Sequence, residues 1–262
     1  MINRIVRRAL LKALGDKLYL SLVSNVFLKM YHSGKARKKY PEMYLLSKFV
    51  SEGNTCIDIG ANIGYYSVPL AELVSESGKV FAVEPVELFR NVLRKNLQRY
   101  KIENRVEIIP FALGNTDDEE IEMGTPEVDG LVHFGYTKIL SSSEDKLSNR
   151  YKVKIHRPQT IFGNLKELHF IKCDVEGYED KVIPEFIEIL QKFKPTLQIE
   201  ICSKRNRELI INLLRSMDYE VFYFLDEKLR SLRELEDNTN VNCDLYFLQL
   251  ETVASLQTLI IK

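Results

Sequence analysis

Apolar residues recur along this chain at two different periods, and the change of period divides it. Within residues 2–14, Ile2, Ile5, Val6, Ala9, Leu10, Ala13 and Leu14 return every three or four positions, while Arg4, Arg7, Arg8 and Lys12 fall mostly elsewhere. That spacing predicts an amphipathic basic helix. Residues 35–39, a second basic cluster beside Gly34 and before Pro41, read as a solvated connector. From Thr55 onward, short β-rich runs alternate with amphipathic stretches. Strands are predicted at residues 55–59, 79–83, 105–109, 169–173, 196–201, 219–225 and 244–250, with helices near 65–75, 86–100, 178–193 and 206–217. Such alternation predicts an α/β, doubly wound fold, a mainly parallel sheet covered by helices on both faces. Glycine, proline and charge interrupt it over residues 114–168, with weaker strand patterns at 119–123 and 151–156. This reads as an insertion of hairpins plus a loop on the substrate side, between the third and fourth main strands. The expected organisation is a basic helical segment over residues 1–50 and one domain over 51–262.

Composition adds a constraint on partners. The 262 residues carry 37 basic and 37 acidic side chains, so the formal charge is zero, which argues against a nucleic-acid partner. The balance is uneven along the chain. Residues 1–50 hold eleven Lys and Arg against Asp16 and Glu42, a net +9 that leaves −9 for the remainder. The basic helix is expected to pack on the main domain, to pair in a homodimer, or to make peripheral contact with an anionic membrane. No run approaches the roughly 20 apolar residues of a spanning helix. Cys56, Cys173, Cys202 and Cys243 form no CxxC pair and each sits in an apolar, strand-like run, so all four are expected as buried, reduced thiols in a cytoplasmic protein.

The most informative segment is the run from Thr55 to Ser67, TCIDIGANIGYYS, in which an apolar strand ends in Asp58, turns through Gly60 and Gly64 and enters a helix. Glycine lets the backbone approach a ligand closely, and Asn62 is among the few other residues that tolerate positive φ. The glycine spacing departs from GxGxxG, and no GK[ST] ending follows, which disfavours a nicotinamide-dependent oxidoreductase or a phosphate loop. The next strand ends at Glu84, twenty residues after Gly64 and placed to accept both hydroxyls of a ribose. An acid for an amino-acid end, a close turn and a ribose carboxylate together favour S-adenosyl-L-methionine.

With DIGANIGYYS (58–67), VEP (83–85), PFALGN (110–115), IKCDVEGYED (171–180) and KPTLQIEI (194–201), the chain resembles the FkbM-type family of class I methyltransferases. Cys173 departs from the aliphatic residue more usual there. The resemblance implies a seven-stranded sheet with a reversed last hairpin and O-methylation of a sugar or natural-product hydroxyl. It also implies that Asp58, Gly60 and Gly64 line the methionine end, that Glu84 holds the ribose, and that Phe111, Ala112 and Leu113 lie near adenine; Asn62, within the glycine turn, is a further candidate for cofactor binding.

A sugar hydroxyl is a poor nucleophile until it loses its proton, and a placed carboxylate removes it. Asp174 and Glu176, at the end of the fourth main strand, are the catalytic candidates. With Glu200 at the end of the fifth they form a second reading, a site for Mg²⁺, and Glu176 has a structural alternative as a helix cap. His133 and His156 fall in the insertion and are weaker candidates for the base. A non-catalytic, membrane-associated adenosyl-binding scaffold is the alternative from another class.

Overall fold

A computed structural model describes residues 4–140, 147–232 and 243–261; Ile2 of the expected first helix lies outside them. That helix extends well past the expected end. α1 (Arg4–His32) bends at Gly15, whose φ of 68° suits a residue without Cβ. α2 (Pro41–Phe49) starts on proline, whose fixed φ and missing N–H suit a first helical position.

The main sheet then builds as the alternation predicts: β1 (Thr55–Ile59), α3 (Ser67–Val74), β2 (Lys79–Val83), α4 (Glu87–Tyr100) and β3 (Val106–Ile109). The insertion follows. It comprises β4 (Ala112–Leu113), β5 (Glu119–Val128), β6 (Leu131–Val132), β7 (Lys138–Ile139), β8 (Leu147–His156) and α5 (Pro158–Phe162). The chain returns through β9 (Phe170–Cys173), α6 (Glu179–Val182), α7 (Ile187–Phe193), β10 (Thr196–Glu200), α8 (Lys204–Arg215), β11 (Glu220–Leu225), β12 (Lys228–Ser231), β13 (Asp244–Leu248), α9 (Leu250–Ser255) and β14 (Ile260–Ile261).

Strand order is β14-β12-β11-β13-β10-β9-β1-β2-β3. The chain winds outward from β1 through β2 to β3, then restarts on the other side at β9, so the switch point lies between β1 and β9. The crevice at that point, outside the carboxyl ends of the strands, is where doubly wound sheets bind ligands. β13 runs antiparallel to both neighbours, as the reversed last hairpin requires. The sheet has nine strands instead of the expected seven, because β11 turns into β12 through Asp226 and Glu227. Both adopt positive φ, 51° and 60°, the signature of a type I′ hairpin made without the usual glycine. β14 then adds beside β12.

Alternation across the central strands sorts the core. Ile57, Ile59, Ile171, Cys173, Leu197 and Ile199 pack with α5, α7 and α8 on one face. Cys56 and Phe170 face the other side, packed with α2, α3 and α4 and reached by Leu28 of α1. In the insertion, β5 and β8 pair over their length, and Glu120, Glu122 and Asp118 meet Lys152, Arg150 and Lys154 across the strands. Glu119 and Glu120 open β5, while Asp117 and Asp118 precede it, so the weak strand pattern at residues 119–123 is the first half of a longer strand. Each such exposed pair contributes at most about 1 kcal/mol.

The cysteine expectation holds for Cys56 and Cys173, which are buried and free. It fails for Cys202 and Cys243, which are bonded to each other. Both stand just outside the strands, where Ile201 N donates to Cys243 O, so antiparallel pairing brings together residues 41 apart in sequence. This withdraws half of the argument for a reducing compartment.

Candidate active site

At the switch point a cleft of about 260 Å³ opens, lined by Asp58, Gly60, Asn62, Glu84, Ala112, Asp174 and Glu176 among others. With Leu113, eight of the residues singled out in the sequence thus meet at one site. Gly64 and Glu200 are not among its lining residues.

The glycines divide the work. Gly60 has φ 84°, and a Cβ there would overlap the carbonyl oxygen of Asp174. Asp174 N donates to Ile59 O at 2.9 Å, so the ends of β1 and β9 nearly touch, and only a glycine permits it. The turn after β1 and the acid after β9 are therefore one structural unit. Gly64, with φ 95°, makes room for Leu93 of α4 and serves packing between helices.

Asp58 is 2% exposed. Its Oδ2 accepts a hydrogen bond from Ser67 Oγ at 2.5 Å, at the start of α3. Burial pushes its pKa up to about 6, against the pull of the Ser67 hydroxyl and of Lys172. Glu84 is buried, and burial likewise raises it, to about 7, although Val86 N and Asn62 N each donate to one of its oxygens at 2.7 and 2.8 Å. Each oxygen keeps a second acceptor site, enough for two vicinal hydroxyls. Asn62 takes φ 49°, the left-handed conformation expected of it, which aims its N–H at Glu84. Val83, Val86, Phe89, Leu113 and Tyr136 add apolar and aromatic lining to the same cleft. A carboxylate at one end, apolar walls and a hydroxyl-accepting carboxylate at the other fit S-adenosylmethionine: ammonium toward Asp58, ribose on Glu84, adenine beside Ala112 and Leu113.

On the facing side, Glu176 stands in the left-handed region at φ 55°, ahead of Gly177. The capping role expected as its alternative is not filled, since no side chain caps α6, and Glu179 Oε1 accepts from Gly177 N at 2.9 Å ahead of the helix. Glu176 is thereby left facing the cleft. Burial raises its pKa to about 8, with Asp174, Glu200 and Glu179 adding to the shift. Glu200 is also raised, chiefly by burial, with the neighbouring Asp174 adding to the shift. The three acids do not gather as an ion site. Among the described residues, the grouping of ligand atoms within 4.8 Å is Glu200 with Cys202 and Cys243, whose sulfurs are spent in the disulfide.

One part of the site escaped the sequence reading. The sheet register aligns Asp58 with Lys172, Lys172 with Gln198 and Gln198 with Tyr246, so a polar row crosses four strands beneath the cleft. Lys172 is 1% exposed, its Nζ 3.1 Å from Asp244 Oδ1 and 5.0 Å above the Tyr66 ring. Gln198 Nε2 donates to Asp244 Oδ1 and to Tyr66 Oη. Burial opposes the charge on Lys172, but Asp244, Asp174 and Glu200 outweigh it and raise its pKa. The signal was a lysine inside an apolar strand, IKC, and the aspartate that opens DLYFL.

The histidines sit away from the cleft lining. His156 is buried, edge-on to Phe111 at 4.4 Å and near Asp117, and His133 stacks on Tyr136. His169 Nδ1 accepts from Thr55 N and ties β9 to β1.

Residues 58–231 match the methyltransferase FkbM domain. A probable cobalt-precorrin-6B C(15)-methyltransferase (decarboxylating) of Sulfurisphaera tokodaii is 33% identical over 110 residues, 40% of this chain and 53% of that protein. A tRNA(Phe) (4-demethylwyosine(37)-C(7)) aminocarboxypropyltransferase of Methanocaldococcus jannaschii is 26% identical over 151 residues, 56% of this chain and 58% of that one. The chain thus spans little more than half the length of either relative. Among solved structures, a candidate rRNA methylase of Clostridium thermocellum superposes with a TM-score of 0.50 at 13% identity, over 80% of this chain and 94% of its own, a likeness of fold. The methyltransferase FkbM of Methylobacillus flagellatus gives 0.48 at 20% identity, over 75% and 43%.

Proposed function

Because the chain belongs to the FkbM methyltransferase family, we propose that it moves a methyl group from S-adenosylmethionine to a hydroxyl of a neutral sugar, glycan precursor or small natural product. The observation that carries this reading is the set of acids on the acceptor side of the cleft, Asp174 and Glu176 with Glu200 behind them. Two of these carboxyls, Glu176 and Glu200, are raised to about 8 and hold protons near pH 7, so the cluster offers hydrogen-bond donors as well as acceptors to a neutral polar acceptor. It also supplies what a hydroxyl needs and a carboxylate acceptor does not, a group to take the proton.

Bound S-adenosylmethionine supplies a methyl already activated by its positive sulfur. The residues do the rest. Asp58 pairs with the ammonium, and Glu84 fixes the ribose, so that orientation is set before reaction. Glu176, raised to about 8, holds a proton near pH 7 and donates a hydrogen bond to the acceptor. Asp174 is assigned as the group that accepts the hydroxyl proton as the oxygen–methyl bond forms and the sulfur–methyl bond breaks with its electron pair left on a neutral sulfur, and the proton then passes to water.

The test is intact-mass screening of neutral sugars, uronic acids and small polyols for the gain of one methyl group. Methylation of neutral hydroxyl acceptors is expected, at least about tenfold weaker in Asp174→Asn while cofactor binding stays within about twofold. Methylation confined to carboxylate or carbon acceptors overturns the proposal. Activity abolished by EDTA and restored by Mg²⁺ overturns the metal-free assignment.

A further inference from the structure

Helix α1 is apolar on two opposite sides. Its inner side buries Tyr19, Leu20, Ser24 and Leu28, and Ser24 reaches Asn96 of α4. Its outer side carries Leu18, Leu22, Val26 and Met30, a row at four-residue spacing that is 56, 40, 47 and 38% exposed. With Ile5 and Val6, six of the twelve exposed large hydrophobic residues among those described belong to this one helix. Scattered exposed hydrophobics are ordinary, whereas a row along one helix marks a surface that something covers.

Charge identifies what covers it. Arg8, Lys12, Lys17 and Lys29 are exposed on the same helix, and the turn after it exposes Lys35, Arg37, Lys38 and Lys39. The two acids of this segment, Asp16 and Glu42, are half-buried. Of the acids nearby, Glu72 is bonded to His32, Asp129 meets Arg4 and Asp226 pairs with Arg230, while Asp226 and Glu227 line a groove with the Lys35–Lys39 turn. A second copy of the chain is a poor fit. A two-fold interface lays the row against itself and brings these cations together with no acid opposite. Among the described residues no helix is long and apolar enough to cross a membrane. An exposed apolar row on a helix that also exposes lysines is instead the arrangement of a helix that lies in the plane of a bilayer surface.

We propose that the outer face of α1 docks the protein on a membrane surface rich in anionic lipid. Leu18, Leu22, Val26 and Met30 enter the acyl boundary, and Lys12, Lys17 and Lys29 meet the headgroups. This stands independently of the methyl acceptor.

The full chain is co-sedimented with phosphatidylcholine vesicles, with or without about one-third phosphatidylserine. Binding is expected to be at least about tenfold stronger on the anionic vesicles and to weaken as salt rises. The pair Leu22→Glu and Val26→Glu is expected to lower it by about tenfold with melting unchanged, since both side chains are exposed. The pair Lys17→Gln and Lys29→Gln, each exposed, is expected to lower it about fivefold per charge removed, and decides the matter if the first pair fails to fold. Equal, negligible binding to both vesicles by folded protein overturns the proposal. So does a concentration-dependent dimer that Leu22→Glu dissociates.

Discussion

The floor of the cleft and the outer face of α1 break the usual partition of residues in opposite senses. In the first, Asp58, Lys172 and Glu84 are charged types held almost wholly inside; in the second, Leu18, Leu22 and Val26 are apolar and stand in water. The inner violation is overdetermined. Each buried group has its partner, Lys172 on Asp244, Asp58 on Ser67, Glu84 on two backbone N–H groups. Strain and desolvation of that kind persist where the surroundings fix them, and they cluster at functional sites. The outer violation has no such internal compensation within the described structure. Under the two proposals, the buried charge is what a small cationic cofactor would meet, and the exposed apolar row is what a bilayer surface would cover.

Substitutions sharpen that contrast, since changes in the floor are expected to cost far more than changes on the face. Gly60→Ala is the most severe, because it adds an atom where Asp174 O already lies and forces alanine to positive φ. A loss of at least about 4 kcal/mol in urea unfolding is expected. Lys172→Met follows at about 3 kcal/mol, because Asp244, with a side chain only 17% exposed, is left without its cation. A loss below about 1 kcal/mol for Lys172→Met means that the row is not a coupled unit.

The third prediction has the opposite sign. The Glu176 carboxyl is raised to about 8 in the folded chain, above its ordinary value of 4.5. The unfolded chain therefore ionises first, and the folded state loses stability as pH rises from about 4.5 to about 8. Glu176→Gln removes that loss. It should melt about 2–4 °C above the parent at pH 8, a gain of about 1 kcal/mol once solvent access to this side chain is allowed for, and equal to it near pH 4.5. Equal melting at pH 8 means that Glu176 is not held neutral. Smallest of all, Leu22→Glu should change stability by less than about 0.5 kcal/mol in the absence of vesicles. A larger loss contradicts the assignment of that side chain to an uncovered face.

Much of the frame was legible in sequence because it rests on local signals. Alternating strand and helix periods located all seven main strands, and the acid-glycine turn and the VEP strand end placed Asp58 and Glu84 at one crevice. What was missed depends on pairing across strands, which the period of a single strand does not encode. The Lys172–Gln198–Tyr246 row appears only once β9, β10 and β13 are in register. The Cys202–Cys243 bond needs the same antiparallel pairing, and β12 needed a hairpin turn made from Asp-Glu, a dipeptide with no turn signature. Gly60 and Gly64 looked equivalent in sequence. Their neighbours, Asp174 O and Leu93, separate a site residue from a packing residue.

The most direct test of the cleft is calorimetric titration of the full chain with S-adenosylmethionine, alongside NAD, across pH 5 to 8. One-to-one binding of S-adenosylmethionine alone is expected. Its affinity should fall as pH drops below about 6, where Asp58 takes up a proton and loses its pull on the ammonium. Asp58→Asn should weaken binding at least about tenfold at pH 7.5 and flatten that pH dependence. Folded protein that binds NAD instead, or that binds S-adenosylmethionine equally well with asparagine at position 58, contradicts the account.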